Sequence, residues 1–301
     1  MAADTKTGKR GGLNSRRRKK TIVNVISFIL LAAASLTVIM PLWFMVSTAL
    51  KSMDEIFTYP ITWYPHEPIW SNFKDAWVSA EFTRWFFNSV FVAAFAILGG
   101  VLANSLVAYG FAKIRFPGRN IMFSIILATM MIPEFVTMIP QYVLYAKLGW
   151  VGTYLPLIVP QFMGSAYFIF MLRQFYAGIP NSVIESAQID GASHFRIWRS
   201  IMLPMAKPAI MTVVVLSFNW SWNDFLKPLL YLMDTKTFTL QLGLKIFVSQ
   251  SNTQWNLLNG GFLYCFTSDY RRFHVPAEIL YRWHEYRRSG KGIVYCCCSI
   301  C

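Results

Sequence analysis

The sequence predicts an all-α fold, a polytopic bundle of membrane helices, and three observations carry that expectation. Of 301 residues 55% are apolar and only 14% charged, well under the roughly 25% usual for soluble domains. Apolar runs near the ~20 residues that cross about 30 Å of hydrocarbon recur five times. Between the last two runs lies a polar, amphipathic stretch, ESAQIDGASHFRIWRSIMLPMAKP at 185–208, too polar to cross a bilayer and too apolar to lie free in water.

In chain order, a basic tail (1–21) comes first and carries eight of the 28 Lys and Arg residues. The net charge of +14 and mean hydropathy of +0.41 fit membrane orientation better than nucleic-acid binding, because no folded recognition module accompanies the charge. The first span is Ile22–Thr48. The uncharged stretch around it runs from Thr21 to Leu50, too long for a cleaved signal, and no small-residue cleavage site closes it. The loop Lys51–Arg84 is rich in aromatics and Pro (Trp63, Tyr64, Pro65, Pro68, Trp70, Trp77) and acidic at Asp54, Glu55, Glu67, Asp75 and Glu81. It suits an interfacial anchor or a docking surface equally.

The second span, Trp85–Ala112, carries the small residues Gly99, Gly100, Ala103, Ser105 and Ala108 that permit close helix packing. The third, Asn120–Tyr145, and the fourth, Tyr154–Leu172, contain Pro133 and Pro140, then Pro156 and Pro160, which predict kinks or broken turns. Glu134, about 20 Å into the third span by helix rise, either lines a path or marks the outer boundary, the boundary being slightly favoured. In the fifth span, Ala209–Met233, Asp224 and Lys227 stand three apart and are expected to neutralise each other. Asn219, Trp220, Trp222 and Asn223 suit either sugar hydroxyls and rings or interhelix packing. Basic residues number fifteen on the side of the N-terminal tail and the 173–207 loop, against six on the other. The N-terminus and that loop are therefore expected to face the cytoplasm.

Within the loop, Ser182 and Glu185 form a capping-box pattern that starts a short helix. Gly191 closes it in a left-handed turn, and Ser193 caps a second helix whose Phe195, Trp198 and Ile201 make an apolar side at helical spacing. Pro204 and Pro208 are expected to end it. Such a device seeks a partner's groove.

Glu185, Ala187, Asp190, Gly191, Ala192, Leu203, Pro204 and Pro208, with Ser186 replacing an alanine, resemble the EAA loop (180–208) of binding-protein-dependent ABC importer permeases. TMMIP at 129–133, LGWVGTYLPLIVP at 148–160 and FNWSWNDFLKPLLYL at 218–232 resemble the sugar-permease branch, the maltose-permease style in particular. The resemblance covers most of residues 30–258 and implies a type I permease domain (22–258) in the cell membrane, with six spans in the family and five readable here. It implies a second permease subunit, an ABC ATPase dimer and an extracytoplasmic sugar-binding protein, with lipid around the bundle. ATP and Mg would be used by the ATPase, with no cofactor bound by this chain directly. Glu185 and Asp190 would hold helix starts or meet basic groups, Ala187 and Gly191 would permit close seating, and Phe195 and Trp198 would fill the partner's cleft.

No catalytic constellation is present. The histidines (His66, His194, His274, His284) are scattered, there is no phosphate-cradling loop, and no metal site is expected. A channel or receptor needing no ATPase, a permease for a non-sugar solute and an inactive truncated subunit are the alternatives.

After Leu258 the character changes. Cys265, Cys296, Cys297, Cys298 and Cys301 cluster with basic residues and no spanning run, in a spacing that fits neither a metal site nor a disulfide framework. Shifting the reading frame by one base allows Asn259 to Ala277 to be read as MAASFIALPVIIVVFMF, one undetermined residue and Gln. Glu278 to Gly292 then reads as KYFIDGMNIDGVVKG, and a stop is permitted at Ile293. That ending resembles the sixth span and C-terminus of the same permeases, so 259–301 is expected to be a frameshift product. The gene's nucleotide sequence tests this.

Overall fold

The computed structural model describes residues 10–78, 81–248 and 253–264, and among these it contains helices and turns but no strand. α1 (Arg10–Ala49) is one long helix that takes in the end of the basic tail, and its apolar part is Thr21–Ala49. From Ile22 to Met40 its side chains are almost wholly exposed. Its C-terminal turns are held by the loop that follows. Ser47 donates to the Trp63 carbonyl at 3.0 Å, and the Asn72 amide donates to the carbonyls of Ala49 and Lys51 at 2.9 Å each. The aromatic loop carries α2 (Met53–Ile56) and α3 (Ser71–Val78). Its Trp63 and Tyr64 meet Phe44 and Trp43 edge to face, while much of both rings stays exposed.

α4 (Phe82–Lys113) is the central rod, packed against α8 (Ala166–Ala177) and α12 (Lys207–Trp222). Its small residues have the expected consequence, because Gly99 lets the ring of Phe162 lie directly on the α4 backbone. The third span is bent more sharply than a proline kink. α5 (Arg119–Thr129) and α6 (Glu134–Lys147) meet at 96°, with Pro133 as the N-cap residue of α6 and Pro140 tolerated inside it. The fourth span, Leu155–Ala177, runs past its expected end. It comprises α7 (Leu155–Ile158), a 3-10 turn Val159–Met163 and α8, joined through Gly164 at φ +85°.

The fifth span is broken where one run was expected. α12 stops at Trp222 and α13 (Leu226–Tyr231) resumes after Asn223–Phe225. Side chains compete with the helix ladder there: the Asn223 amide donates to the Asn219 carbonyl at 3.0 Å, and the Asp224 carboxylate accepts from the Lys227 backbone N–H at 3.2 Å. α14 (Leu240–Leu244) then returns to α4, and residues 255–264 are helical. Tyr264 packs among Phe73, Trp77 and Phe82, so helix and packing continue past 258. Among the described residues three segments are long and apolar enough to cross a membrane, and up to five if the bent pairs Arg119–Thr129 with Glu134–Lys147 and His194–Met205 with Lys207–Trp222 each count as one span. Of the expected frameshift product, residues 265–301 with all five cysteines lie outside the described residues.

Candidate functional site

Between the fourth and fifth spans the chain forms two short helices. α9 (Asn181–Ile189) begins with Pro180 at the N-cap and no side-chain cap, so the expected Ser182 and Glu185 capping box is absent. Ser182 lies inside the helix, where its carbonyl accepts from the Ser186 hydroxyl at 2.8 Å. Pro180 explains the shift, since its fixed φ and missing N–H suit the residue just before a helix. The end is as expected. Gly191 at φ +77° allows its N–H to reach the Gln188 carbonyl at 3.0 Å and that of Ala192 to reach the Ala187 carbonyl at 2.9 Å. This is the paired closure of a Schellman motif.

Ser193 then caps α10 (His194–Ile197), its hydroxyl accepting from the Arg196 N–H at 3.3 Å. Pro204 and Pro208 do not end this helix. A single π-helical turn, Trp198–Met202, carries it into α11 (Leu203–Met205), with the Leu203 N–H reaching the Trp198 carbonyl. Widening the ladder just before Pro204 accommodates a residue that has no N–H to donate. The chain bends by 82° at Ala206, and Pro208 sits in the first turn of α12, where proline is tolerated.

Burial redraws the expected contact face. Trp198 is only 5% exposed and Ala187 is buried, both inside this chain's own core with Ile184, Ile197 and Met202. Neither can enter a partner's cleft. Ala192 and Leu203 back the same core. Glu185 and Asp190 are exposed and hold no helix start, Asp190 being the last cap residue of α9. Phe195 remains 59% exposed, supported from beneath by the Trp198 ring at 5.2 Å, and Ile189 is 86% exposed. Sequence reasoning missed Ile189. An isoleucine set directly before the Asp-Gly turn, outside the i, i+3, i+4 row of Ile184 and Ala187, was the available signal.

The second element is a cavity of about 740 Å³ between the broken spans, lined by Asn219, Trp220, Asn223, Asp224, Lys227 and Glu134 among others. Trp220 meets Phe168 at 5.0 Å and Tyr167 at 5.8 Å. Trp222 does not line it. Helical spacing turns that indole away, into a buried aromatic cluster with Phe218 at 5.2 Å and Phe86 at 5.7 Å. Glu134 lines the cavity, and its carboxylate pairs with the Lys227 ammonium at 2.7 Å. The expected side-chain pairing of Asp224 with Lys227 is therefore replaced by a pair across the two breaks, and Asp224 serves the local backbone. Among the described residues no group of three His, Cys, Asp or Glu side chains is placed to hold a metal ion.

Asn104 closes the fourth span's break. Buried at 1% exposure, it accepts from the Ser165 N–H at 2.6 Å and donates to the Gly100 carbonyl at 2.5 Å. Non-helical backbone at membrane depth requires such a partner. Asn104→Ala is expected to lower stability by about 1–3 kcal/mol, seen as a lower midpoint of thermal unfolding in detergent. An unchanged midpoint would dismiss this role.

Residues 96–268 match the family model described as binding-protein-dependent transport system inner membrane component. The chain is 31% identical over 242 residues to the sn-glycerol-3-phosphate transport system permease protein UgpE of Pectobacterium atrosepticum, covering 78% of this chain and 86% of that one. It is 33% identical over 243 residues to the protein of the same name from Yersinia enterocolitica, with the same coverage. Among solved structures, a chain of a bacterial ABC transporter involved in the import of the acidic polysaccharide alginate superposes with a TM-score of 0.72 at 22% identity. That match covers 89% of this chain and 97% of the other. A chain of the bacterial alginate ABC transporter in complex with an alginate pentasaccharide-bound periplasmic protein gives 0.55 at 15% identity, covering 89% and 96%.

Proposed function

The chain belongs to the binding-protein-dependent transport system inner membrane component family, and from that premise we propose that it is one permease subunit of an ATP-driven importer for a sugar or oligosaccharide. A permease of this kind is a membrane conduit and not an enzyme. The observation that carries the reading is the Schellman-turned pair of helices between two spans, with Ile189 and Phe195 presented outward and the rest of its apolar face locked into the bundle.

On this reading the loop docks on an ABC ATPase dimer at the cytoplasmic face, where the N-terminus also lies, and the ATPase uses ATP and Mg. Closure of the dimer displaces the loop as a unit, and the packed spans convert this into alternating exposure of the cavity. A second permease supplies the other half of the path. Among the described residues, the side chains of α1 from Ile22 to Met40 are exposed almost throughout, which supports a neighbouring subunit or lipid against them. The exposed aromatic loop at Trp63, Tyr64 and Trp70 is a suitable seat for an extracytoplasmic binding protein.

Sugar is favoured over a phosphate ester by the cavity wall. Trp220 and the amides of Asn219 and Asn223 suit a ring and its hydroxyls, whereas the Lys227 ammonium is engaged by Glu134. For residues 259–301 the shifted-frame reading is part of the proposal.

The test is retention of the ATPase. In Ile189→Glu with Phe195→Glu, two exposed apolar side chains that docking would bury become charges facing an apolar groove. ATPase recovered with the affinity-purified permease is expected to fall at least tenfold while the permease stays in the membrane. Undiminished recovery would reject the docking site.

A further inference from the structure

We propose that α4, and not the two helices joined covalently to the loop, receives the loop's displacement, and that Tyr109 and Lys113 are the positioning residues that fasten it. This rests on the coupling reading above and goes beyond it by naming the receiving element and its bonds.

The two side chains stand four apart on α4, so they share one face, one turn from each other. Each holds a different helix of the loop at its first residue. The buried Tyr109 hydroxyl lies 3.1 Å from Nδ1 of His194, the first residue of α10. The Lys113 ammonium donates to the Ile179 carbonyl at 2.6 Å and to Oδ1 of Asn181, the first residue of α9, at 2.9 Å. Both helices are therefore tied to the same face of one rod, on either side of the Gly191 turn.

The covalent exits are poorer transmitters. α8 leaves the loop through Gly178, Ile179 and Pro180, outside any helix, and α12 leaves it across the π-helical turn and the 82° bend at Ala206. α4 is a continuous helix of 32 residues, about 48 Å long by helix rise. Its Val92 and Ala96 form part of the cavity wall, about 20–25 Å from Tyr109 by helix rise. On the way it holds the break of the fourth span through Asn104 and carries the Phe162 ring on Gly99. A movement of the loop reaches the cavity along one unbroken element, with the two hydrogen-bonded ties as its couplings.

The test uses the complete importer in lipid nanodiscs. The permease carries Ser221→Cys on the cavity wall, with Cys265, Cys296, Cys297, Cys298 and Cys301 replaced by serine. The rate at which a water-soluble maleimide labels residue 221 is measured without nucleotide and after trapping with ATP and vanadate. In the parent, trapping is expected to change the rate at least fivefold. In Tyr109→Phe with Lys113→Met, which keeps the ring and the aliphatic stem in place, the change should fall below twofold with the ATPase still bound. His194→Asn, which keeps a polar atom near the place of Nδ1, should retain most of it. A double-mutant cycle between positions 109 and 194 should show non-additivity. A full response in the double variant, or strict additivity in the cycle, overturns the assignment of α4. A parent that does not respond to trapping removes the transport reading itself, and this inference with it.

Discussion

Gly191→Pro is expected to abolish ATP-driven uptake while the chain still inserts in the membrane. The reason is backbone geometry at one residue. Gly191 sits at φ +77° and donates its N–H to the Gln188 carbonyl, whereas proline is held near φ −65° and has no N–H. The substitution therefore removes one of the two bonds that close α9 and swings α10 away from Tyr109. A Cβ on Gly191 would meet nothing within 4 Å, so an added side chain does not press on the rest of the bundle and the damage stays at the turn. A graded series follows. Gly191→Ala is expected to cost about 1–2 kcal/mol, the penalty of a left-handed L-residue, and Gly191→Asn less, because asparagine visits that region. Uptake by proteoliposomes, normalised to inserted permease, is the measurement. Equal uptake by the Pro and Asn variants would show that the turn is not needed.

Gly99→Leu has the second large effect, on the folded bundle instead of its coupling. A Cβ placed there falls 2.4 Å, 2.6 Å and 2.8 Å from three ring atoms of Phe162, Cγ among them. An added side chain must displace the Phe162 ring from its seat on α4 or push α4 away from the fourth span. Overpacking of this kind costs about 1–3 kcal/mol for small additions; leucine adds more, and little monodisperse protein is expected after detergent extraction. Gly110→Leu is the control on the same helix, since nothing lies within 4 Å of its added Cβ, and it should extract like the parent. Gly99→Ala combined with Phe162→Ala should recover much of the yield that Gly99→Ala alone loses. Failure of that rescue would place the damage elsewhere.

The spans were legible because length and hydropathy are local properties of the chain, and so was the Gly191 turn, since Asp-Gly after an amphipathic run leaves few alternatives. What the sequence hid were choices settled by contacts between distant residues. Glu134 and Lys227 belong to separate spans, and only the 96° bend of one and the break in the other bring them to 2.7 Å. Trp220 and Trp222 are chemically alike, yet two residues along a helix put one on the cavity and the other in an aromatic core. Trp198 looked like a docking residue because an apolar face reads the same whether it meets a partner or its own bundle. The capping-box pattern at Ser182 failed because Pro180 starts the helix earlier. Asn104 gave no local signal at all, since its role depends on a break sixty residues away. Past Leu258 the change of composition was plain in the sequence, although residues 259–264 still extend a helix that packs on the aromatic loop at 51–84.

Site-specific photo-crosslinking in intact cells from residue 189, the most exposed large apolar side chain on the loop, should give a covalent adduct with a nucleotide-binding subunit on the cytoplasmic side. An adduct only with extracytoplasmic protein, or labelling of residue 189 by an impermeant reagent added outside, would contradict docking of the loop there.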